Sequence, residues 1–350
     1  MSVAAFDHPI LSSLFGDAAT ARYFSLEAEI EAMLRFEAAL ALAQAEVGLI
    51  PDEAASRIAE RCGDFRADVA GLAQAFQRDG VVVPGLVKAL RAHVGGDAAA
   101  YTHYRATSQD VVDSSLVLRL QPALGDLETR IAALIARLQE MEADQGAVVL
   151  MGRTRMQRAL PITVSDKLRP WREPLERNLE RLAELRPRLL VVQFGCAVGD
   201  RAGLDGKAAA MAEALARRLD LGAGPCWHVE RDAIGELSGW LSLTSATLGK
   251  IGADVCLMAQ NEIGEVRLAE SGGSSAMPHK ANPVQAEALV AMARFNAALV
   301  AAVHLALPHE NERSGAGWSL EWLTLPQMMV ATGAALRVAL RLCAGLTFAA

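Results

Sequence analysis

Residues 234–258 read I-G-E-L-S-G-W-L-S-L-T-S-A-T-L-G-K-I-G-A-D-V-C-L-M. Within them Ile234, Leu237, Leu241, Thr244, Leu248, Ile251, Val255 and Met258 recur in alternating steps of three and four. That spacing is a seam for near-parallel helix packing. An earlier stripe runs through Val112, Leu116, Leu120, Ala123, Leu127, Ile131, Leu134, Leu138 and Met141. It continues for about 35 residues, roughly 50 Å of helix. Pro122 lies inside it and is expected to bend the helix or start a second segment. Further helical patterning covers 164–185, 206–219, 284–305 and 320–342. Apolar stripes this long need equally long neighbours, so the fold class is all-α, an elongated helical bundle completed by other subunits. No repeat of the ~30–45-residue kind supports a solenoid.

The first hundred residues form shorter helices. Ser25 is placed to cap a helix over 27–47 that closes at Gly48 ahead of Pro51, and further segments cover 52–61, 67–78 and 85–94. The expected division is a helical N-terminal domain at 1–104, a long-helix bundle at 105–345 and a tail at 346–350. Lys plus Arg number 34 against 41 Asp plus Glu in 350 residues, a net charge of −7. That balance has no general attraction for nucleic acid or an anionic membrane. Hydrophobic residues make up 52% but aromatics 5%, a composition that suits closely packed helices. Cys62, Cys196, Cys226, Cys256 and Cys343 are scattered without a C-x-x-C pair, which argues against zinc or a disulfide framework and for a reducing compartment. Residues 1–17 lack a secretory pattern and no uninterrupted apolar run reaches ~18 residues. The expectation is a soluble, cytoplasmic protein.

Three polar patches interrupt the apolar pattern. His103-Tyr104-Arg105-Ala106-Thr107-Ser108-Gln109-Asp110 precedes the first long helix, where hydroxyls and free helix N–H groups suit a carboxylate. Ser108 as a plain N-cap, assisted by Thr107 and Asp110, is the competing reading. Gly152-Arg153-Thr154-Arg155-Met156-Gln157-Arg158 concentrates guanidinium groups, which bind carboxylates through a bidentate fork; a solvated basic loop would look the same. The third patch is more specific: Ser271-Gly272-Gly273-Ser274-Ser275-Ala276-Met277-Pro278-His279-Lys280-Ala281-Asn282-Pro283. Its glycines permit movement and Pro283 can begin the next helix. Serine, lysine and amide together supply what moving a proton beside a carboxylate, and holding the resulting charge, requires.

This third patch resembles the G-S-S-x-M-P-x-K-x-N-P signature of the fumarase/aspartase superfamily, and the other two match its T-S-x-D and G-R-T-x-x-Q motifs in order. The resemblance extends to about Leu342. It implies an almost wholly helical homotetramer in which each active site gathers the three motifs from three subunits. Carried over, Ser274 falls at the catalytic serine. Thr107, Ser108, Gln157, Ser275, Lys280 and Asn282 fall at substrate-binding positions. Arg231 and Arg313 resemble further anion-binding positions of the family, and His103 could relay a proton or bind substrate, each with an ordinary structural reading beside it. No metal and no cofactor are implied. The chain ends soon after the last seam, so the C-terminal helical domain of many members is expected to be largely missing.

Arg155 separates branches within the family. Amine- and water-eliminating members usually carry His there, to manage the leaving group's proton. Arginine, with a pKa above about 12, cannot do so near neutral pH. Cycloisomerisation has no such need, because its internal nucleophile is a carboxylate, already ionised with a reference pKa of about 4. The opening 7–17, the stretch 101–113 and Trp318-Ser319-Leu320-Glu321-Trp322 also resemble the cycloisomerase branch. The implied substrate is a carboxylated cis,cis-muconate, closed to a lactone in aromatic catabolism. A sulfonated muconate, an adenylosuccinate-type elimination and a non-catalytic scaffold are the alternatives.

Overall fold

The computed structural model describes residues 3–273, 277 and 280–349. Two short helices, α1 (Ser12–Phe15) and α2 (Ala18–Ala21), lead into α3 (Leu26–Glu46), α4 (Asp52–Gly63), α5 (Val69–Asp79) and α6 (Val83–Val94). Ser25 caps α3 by accepting a hydrogen bond from Ala28 N–H. Then come α7 (Ser108–Gln145), the hairpin β1 (Val149–Thr154) and β2 (Gln157–Thr163), and α8 (Val164–Leu189). The chain continues through α9 (Ala208–Leu219), α10 (Asp232–Met258), β3 (Val266–Leu268), α11 (Val284–Ala306), α12 (Gly315–Ala344) and β4 (Leu346–Phe348). The architecture is all-α, with two antiparallel strand pairs as its only sheets among the described residues.

Both stripes do what their spacing predicts. Every seam residue of α10 is buried, and in α7 only Leu116 is less than fully so. They pack with α8, α11 and α12 into one long core. Trp171 Nε1–H donates to Asp254 at 2.8 Å and Trp240 Nε1–H to the Asn178 carbonyl at 2.8 Å, pinning α8 to α10. Pro122 does not start a second segment: α7 is continuous for 38 residues. The proline removes one helical N–H donor, and flanking burial at Leu120, Ala123 and Leu124 holds the helix together.

A second core joins α3–α6 to Val111, Val112 and Leu118 of α7, to α9, and to Trp318 of α12. A division at 104/105 is therefore not where the packing divides. The first turns of α7 serve the N-terminal core, and α9 returns to it from the bundle. Residues 346–348 are not a tail either: β4 pairs with β3 through Leu346↔Leu268, Arg267↔Thr347 and Val266↔Phe348, with Leu346 and Phe348 buried. Leu346 and Phe348 point to the same face at period two, so the pairing buries both.

α11 and α12 are long and apolar enough, by length and composition, to cross a membrane, which a search for uninterrupted apolar runs misses. The most apolar stretch of α12 is 72% buried, as befits the central helix of a core. That of α11 is only 28% buried: one face packs on α10 and α12, and the other presents Ala291, Ala297, Ala298 and Ala301 beside Glu287 and Arg294.

Candidate active site

The polar residues collect at the two ends of the bundle. At the start of α7, Thr107 is the N-cap, one position before the expected Ser108, which is the first helical residue. Asp110, fully buried, organises this end. Its carboxylate accepts from Thr107 N–H at 3.0 Å, Gly195 N–H at 2.8 Å, Cys196 N–H at 3.2 Å and His228 Nε2 at 2.8 Å. Ser108 is half-buried, and its hydroxyl has no hydrogen bond among the described residues. It lies at the positive end of a 38-residue helix, where an anion is favoured. Burial pulls the His228 imidazole down, but the bond to Asp110 and the neighbouring Cys226 sulfur overrule it and push it up to about 9.

His103, in a left-handed conformation at φ 59, places Nδ1 2.6 Å from Glu37 Oε1. Burial works against its charge, yet Glu37 raises its pKa above the ordinary histidine value. Arg313 donates from Nε to Gln109 Oε1 at 2.9 Å and from Nη2 to the Ala197 carbonyl at 3.1 Å, and is otherwise exposed. Arg231 departs from the anion-binding reading. Its guanidinium is fully buried and already committed, to Asp113 at 2.7 Å and to Glu321 through two bonds. Trp318 Nε1–H completes the cluster by donating to Asp113 at 3.0 Å. Asp113 and Glu321 escaped the motif search. Their signal is a carboxylate standing on the apolar face of a long helix, which is tolerated only when paired.

At the other end, the arginine patch is a β-hairpin where a loop was expected. Thr154 pairs with Gln157, so Arg155 and Met156 form a two-residue turn, with φ 48 and 68. Two left-handed residues define a type I′ turn, which prefers Asn-Gly. A side chain there costs on the order of 1 kcal/mol per residue. The strain projects Arg155 off the tip, exposed and without an ion pair among the described residues. Gln157 is exposed beside it. Arg153 is spent differently, on Glu265 at 2.7 Å.

Glu265 immediately precedes β3, and β3 leads into the third patch. Gly272 N–H donates to the Asn282 carbonyl at 2.8 Å and Asn282 N–H to the Gly272 carbonyl at 2.9 Å. This pinched base closes the loop. A Cβ on Gly272 would stand 2.5 Å from Val284 Cγ2, so only glycine permits the approach. Asn282 Nδ2 reaches the Gly273 carbonyl at 3.4 Å. Lys280 is exposed, its backbone N–H bonded to the Met277 carbonyl at 3.0 Å and its ammonium in no ion pair among the described residues. Ser274, Ser275 and His279 lie outside the described residues.

Among the described residues, the α7 start does not meet the arginine hairpin within one chain. Thirty-eight residues of α7, rising ~1.5 Å each, hold Thr107 and Ser108 about 57 Å from the helix end that feeds the arginine hairpin. The loop base belongs with the hairpin: Arg153 bonds Glu265, and Phe348 N–H, on the strand paired with β3, donates to Gln145 at the end of α7. Each chain thus carries a hydroxyl-lined helix start at one end and a cationic hairpin plus loop at the other.

Residues 14–296 match the lyase family, which is most of the chain. The chain belongs to the fumarase/aspartase lyases. Among relatives of this lyase, the 3-carboxy-cis,cis-muconate cycloisomerase of Pseudomonas aeruginosa is 44% identical over 333 residues, covering 92% of this chain and 72% of the relative. The cycloisomerase of the same name from Acinetobacter baylyi is 37% identical over 346 residues, covering 96% and 77%. The crystal structure of 3-carboxy-cis,cis-muconate lactonizing enzyme from Pseudomonas putida superposes with a TM-score of 0.91 at 39% identity, covering 97% of this chain and 77% of that one.

Proposed function

We propose that this lyase is a cofactor-independent cycloisomerase that closes 3-carboxy-cis,cis-muconate to carboxymuconolactone, in the cytoplasm, as an assembly whose active sites are shared between subunits. The observation that carries the reading is a pair of exposed cations in no ion pair among the described residues, Arg155 on its strained turn and Lys280 beside the pinched loop base, at one end of the molecule. In a chain where Arg153 and Arg231 are both spent on carboxylates, exposed cations at the same end as the Gly/Ser motif suit a polyanionic substrate. The tetrameric arrangement that the family implies would bring Thr107 and Ser108 of one chain to Arg155, Gln157, Lys280 and Asn282 of others. The apolar, alanine-rich outer face of α11 supports close helix packing between protomers. Five free cysteines support a reducing compartment.

In this mechanism one substrate carboxylate adds to the conjugated alkene and forms the ring C–O bond. The electron pair moves into the adjacent carboxylate, where Arg155, Lys280 and Asn282 stabilise the developing charge as fixed donors. Ser274 delivers a proton to carbon, reversing the role it has in elimination, and is reprotonated from solvent. One carboxylate becomes an ester and one C–H bond forms, so each turnover takes up one proton. Arg155, permanently charged, serves anion binding and not proton transfer. His103 and Arg313, near the helix start, would assist substrate binding, whereas the buried Arg231 would hold α7, α10 and α12 together.

The test follows diene absorbance with 3-carboxymuconate, 3-sulfomuconate and adenylosuccinate in parallel, with proton uptake measured in weak buffer. Loss of diene absorbance with the carboxymuconate and one proton per turnover is the expected result. Cleavage of adenylosuccinate overturns the reading, and silence with all three favours a scaffold. Preference for the sulfonate would transfer the same chemistry to the alternative substrate. Ser274→Ala should keep the assembly and lose most turnover. Mixing Ser108→Ala with the inactive Ser274→Ala protein should give more activity than the two proteins show separately, since each supplies the half-site that the other lacks; no gain after subunit exchange refutes the shared site.

A further inference from the structure

Behind the α7 helix start lies a cluster that the proposed reaction does not use. His228 is 2% exposed, donates through Nε2 to Asp110 at 2.8 Å, and leaves Nδ1 without a hydrogen-bond partner of ordinary geometry. Asp110 is itself immobilised by three backbone N–H groups. Cys226 Sγ lies against the same imidazole in a hollow left by two glycines. A Cβ on Gly195 would stand 2.3 Å from Cys226 Sγ and 2.8 Å from His228 Cε1, and one on Gly199 would stand 3.4 Å from Sγ and 3.6 Å from Nδ1. Arg201 ties the two walls of the hollow together by donating to the Phe194 and Gly224 carbonyls, at 2.8 and 2.6 Å. Acid, imidazole and thiol therefore stand in a fixed row, with the imidazole's free nitrogen beside the sulfur.

We infer that Cys226 is a nucleophilic thiol, activated by His228 and Asp110, that is covalently modified by small soft electrophiles such as haloacetamides. With Nε2–H committed to Asp110, Nδ1 is the acceptor for the thiol proton. The thiolate attacks the electrophilic CH2, the C–S bond forms as the C–halogen bond breaks, halide leaves, and the proton stays on His228. The elevated pKa of His228 suits this role, since an imidazolium beside sulfur stabilises the thiolate. Burial pushes the Cys62, Cys196 and Cys343 thiols up to about 12 and also raises that of Cys256. Cys256 is similarly half-buried and so serves as the internal comparator.

The experiment labels the native full-length protein with iodoacetamide and reads the rate at each cysteine by peptide mass spectrometry between pH 6 and 9. Cys226 should react at least tenfold faster than Cys256 at pH 7, with a rate that is nearly flat from pH 7 upward while that of Cys256 keeps rising. His228→Gln should bring Cys226 down to the comparator's rate. Equal rates at Cys226 and Cys256, or a tenfold rise per pH unit at Cys226 between pH 6 and 8, overturns the inference. The pH profile uses the unaltered protein, so the inference stays testable where His228→Gln does not fold. It stands apart from the reaction assigned above, because neither readout requires turnover.

Discussion

Arg231→Met removes the cation from a buried cluster while nearly preserving side-chain length. Arg231, Asp113 and Glu321 are 0%, 1% and 2% exposed, so no water can replace the lost charge. Asp113 keeps neutral donors from Trp318, Gln109 and Gln193. Among the described residues Glu321 keeps only His309, at 3.8 Å, and His309 is held below its ordinary pKa by burial and by Arg231 itself. Breaking a buried pair in this way costs about 3–5 kcal/mol. Burial already raises the Glu321 pKa against the pull of Arg231, and without the arginine it rises further. A carboxyl whose folded pKa lies above its unfolded value takes up protons on folding, so the variant should regain stability as pH falls from 7.5 to 5.5. The assay is urea unfolding at fixed protein concentration at both pH values, with Arg231→Met/Glu321→Gln alongside. The double variant should recover about half of the deficit or more. A single-variant deficit below ~1 kcal/mol, a deficit that grows on acidification, or no recovery in the double variant refutes the reasoning.

Three further outcomes follow from the geometry. His228 is raised to about 9 in the fold, so its contribution is complete below about pH 6.5 and is lost as pH rises through 9. The native protein should lose at most about 3 kcal/mol over that window, and less by the share of the His228 proton that Cys226 rather than solvent supplies, and a His228→Gln protein should show a flatter pH profile. Gly272→Val places side-chain atoms against Val284 at the loop base and should cut turnover at least tenfold while the thermal midpoint moves by only a few degrees; near-normal turnover would mean that the pinch does not align the loop. Arg155→Ala should raise KM for the tricarboxylate more than it lowers kcat and should relieve turn strain only slightly, because alanine also resists left-handed φ; an unchanged KM would remove Arg155 from substrate binding.

The long helices were legible because their signal is periodic and redundant: the seam from Ile234 to Met258 predicts its own burial at each step. The motif loop was legible through its composition. Other features were hidden for identifiable reasons. The Arg153–Arg158 stretch carries no alternating apolar pattern and no Asn-Gly, so nothing local announces a hairpin, and the turn is imposed on Arg155 and Met156 against their preference. β4 is three residues long and exists only because β3 lies beside it. The roles of Arg231, Asp113 and Glu321 depend on contacts between residues about 90 and 118 positions apart, which no spacing rule reaches. Nor could the sequence say that the cap and the hairpin sit at opposite ends of one helix until α7 was seen to run through Pro122 without a break.

That unbroken helix has a consequence for how activity depends on concentration. A rod about 57 Å long keeps the two halves of each chain's contribution from folding back on one another, so with the site shared as proposed a lone protomer would hold no complete site. On dilution, turnover should vanish while helical content persists, and a damaged chain in a mixed population would silence sites on neighbours that are themselves intact.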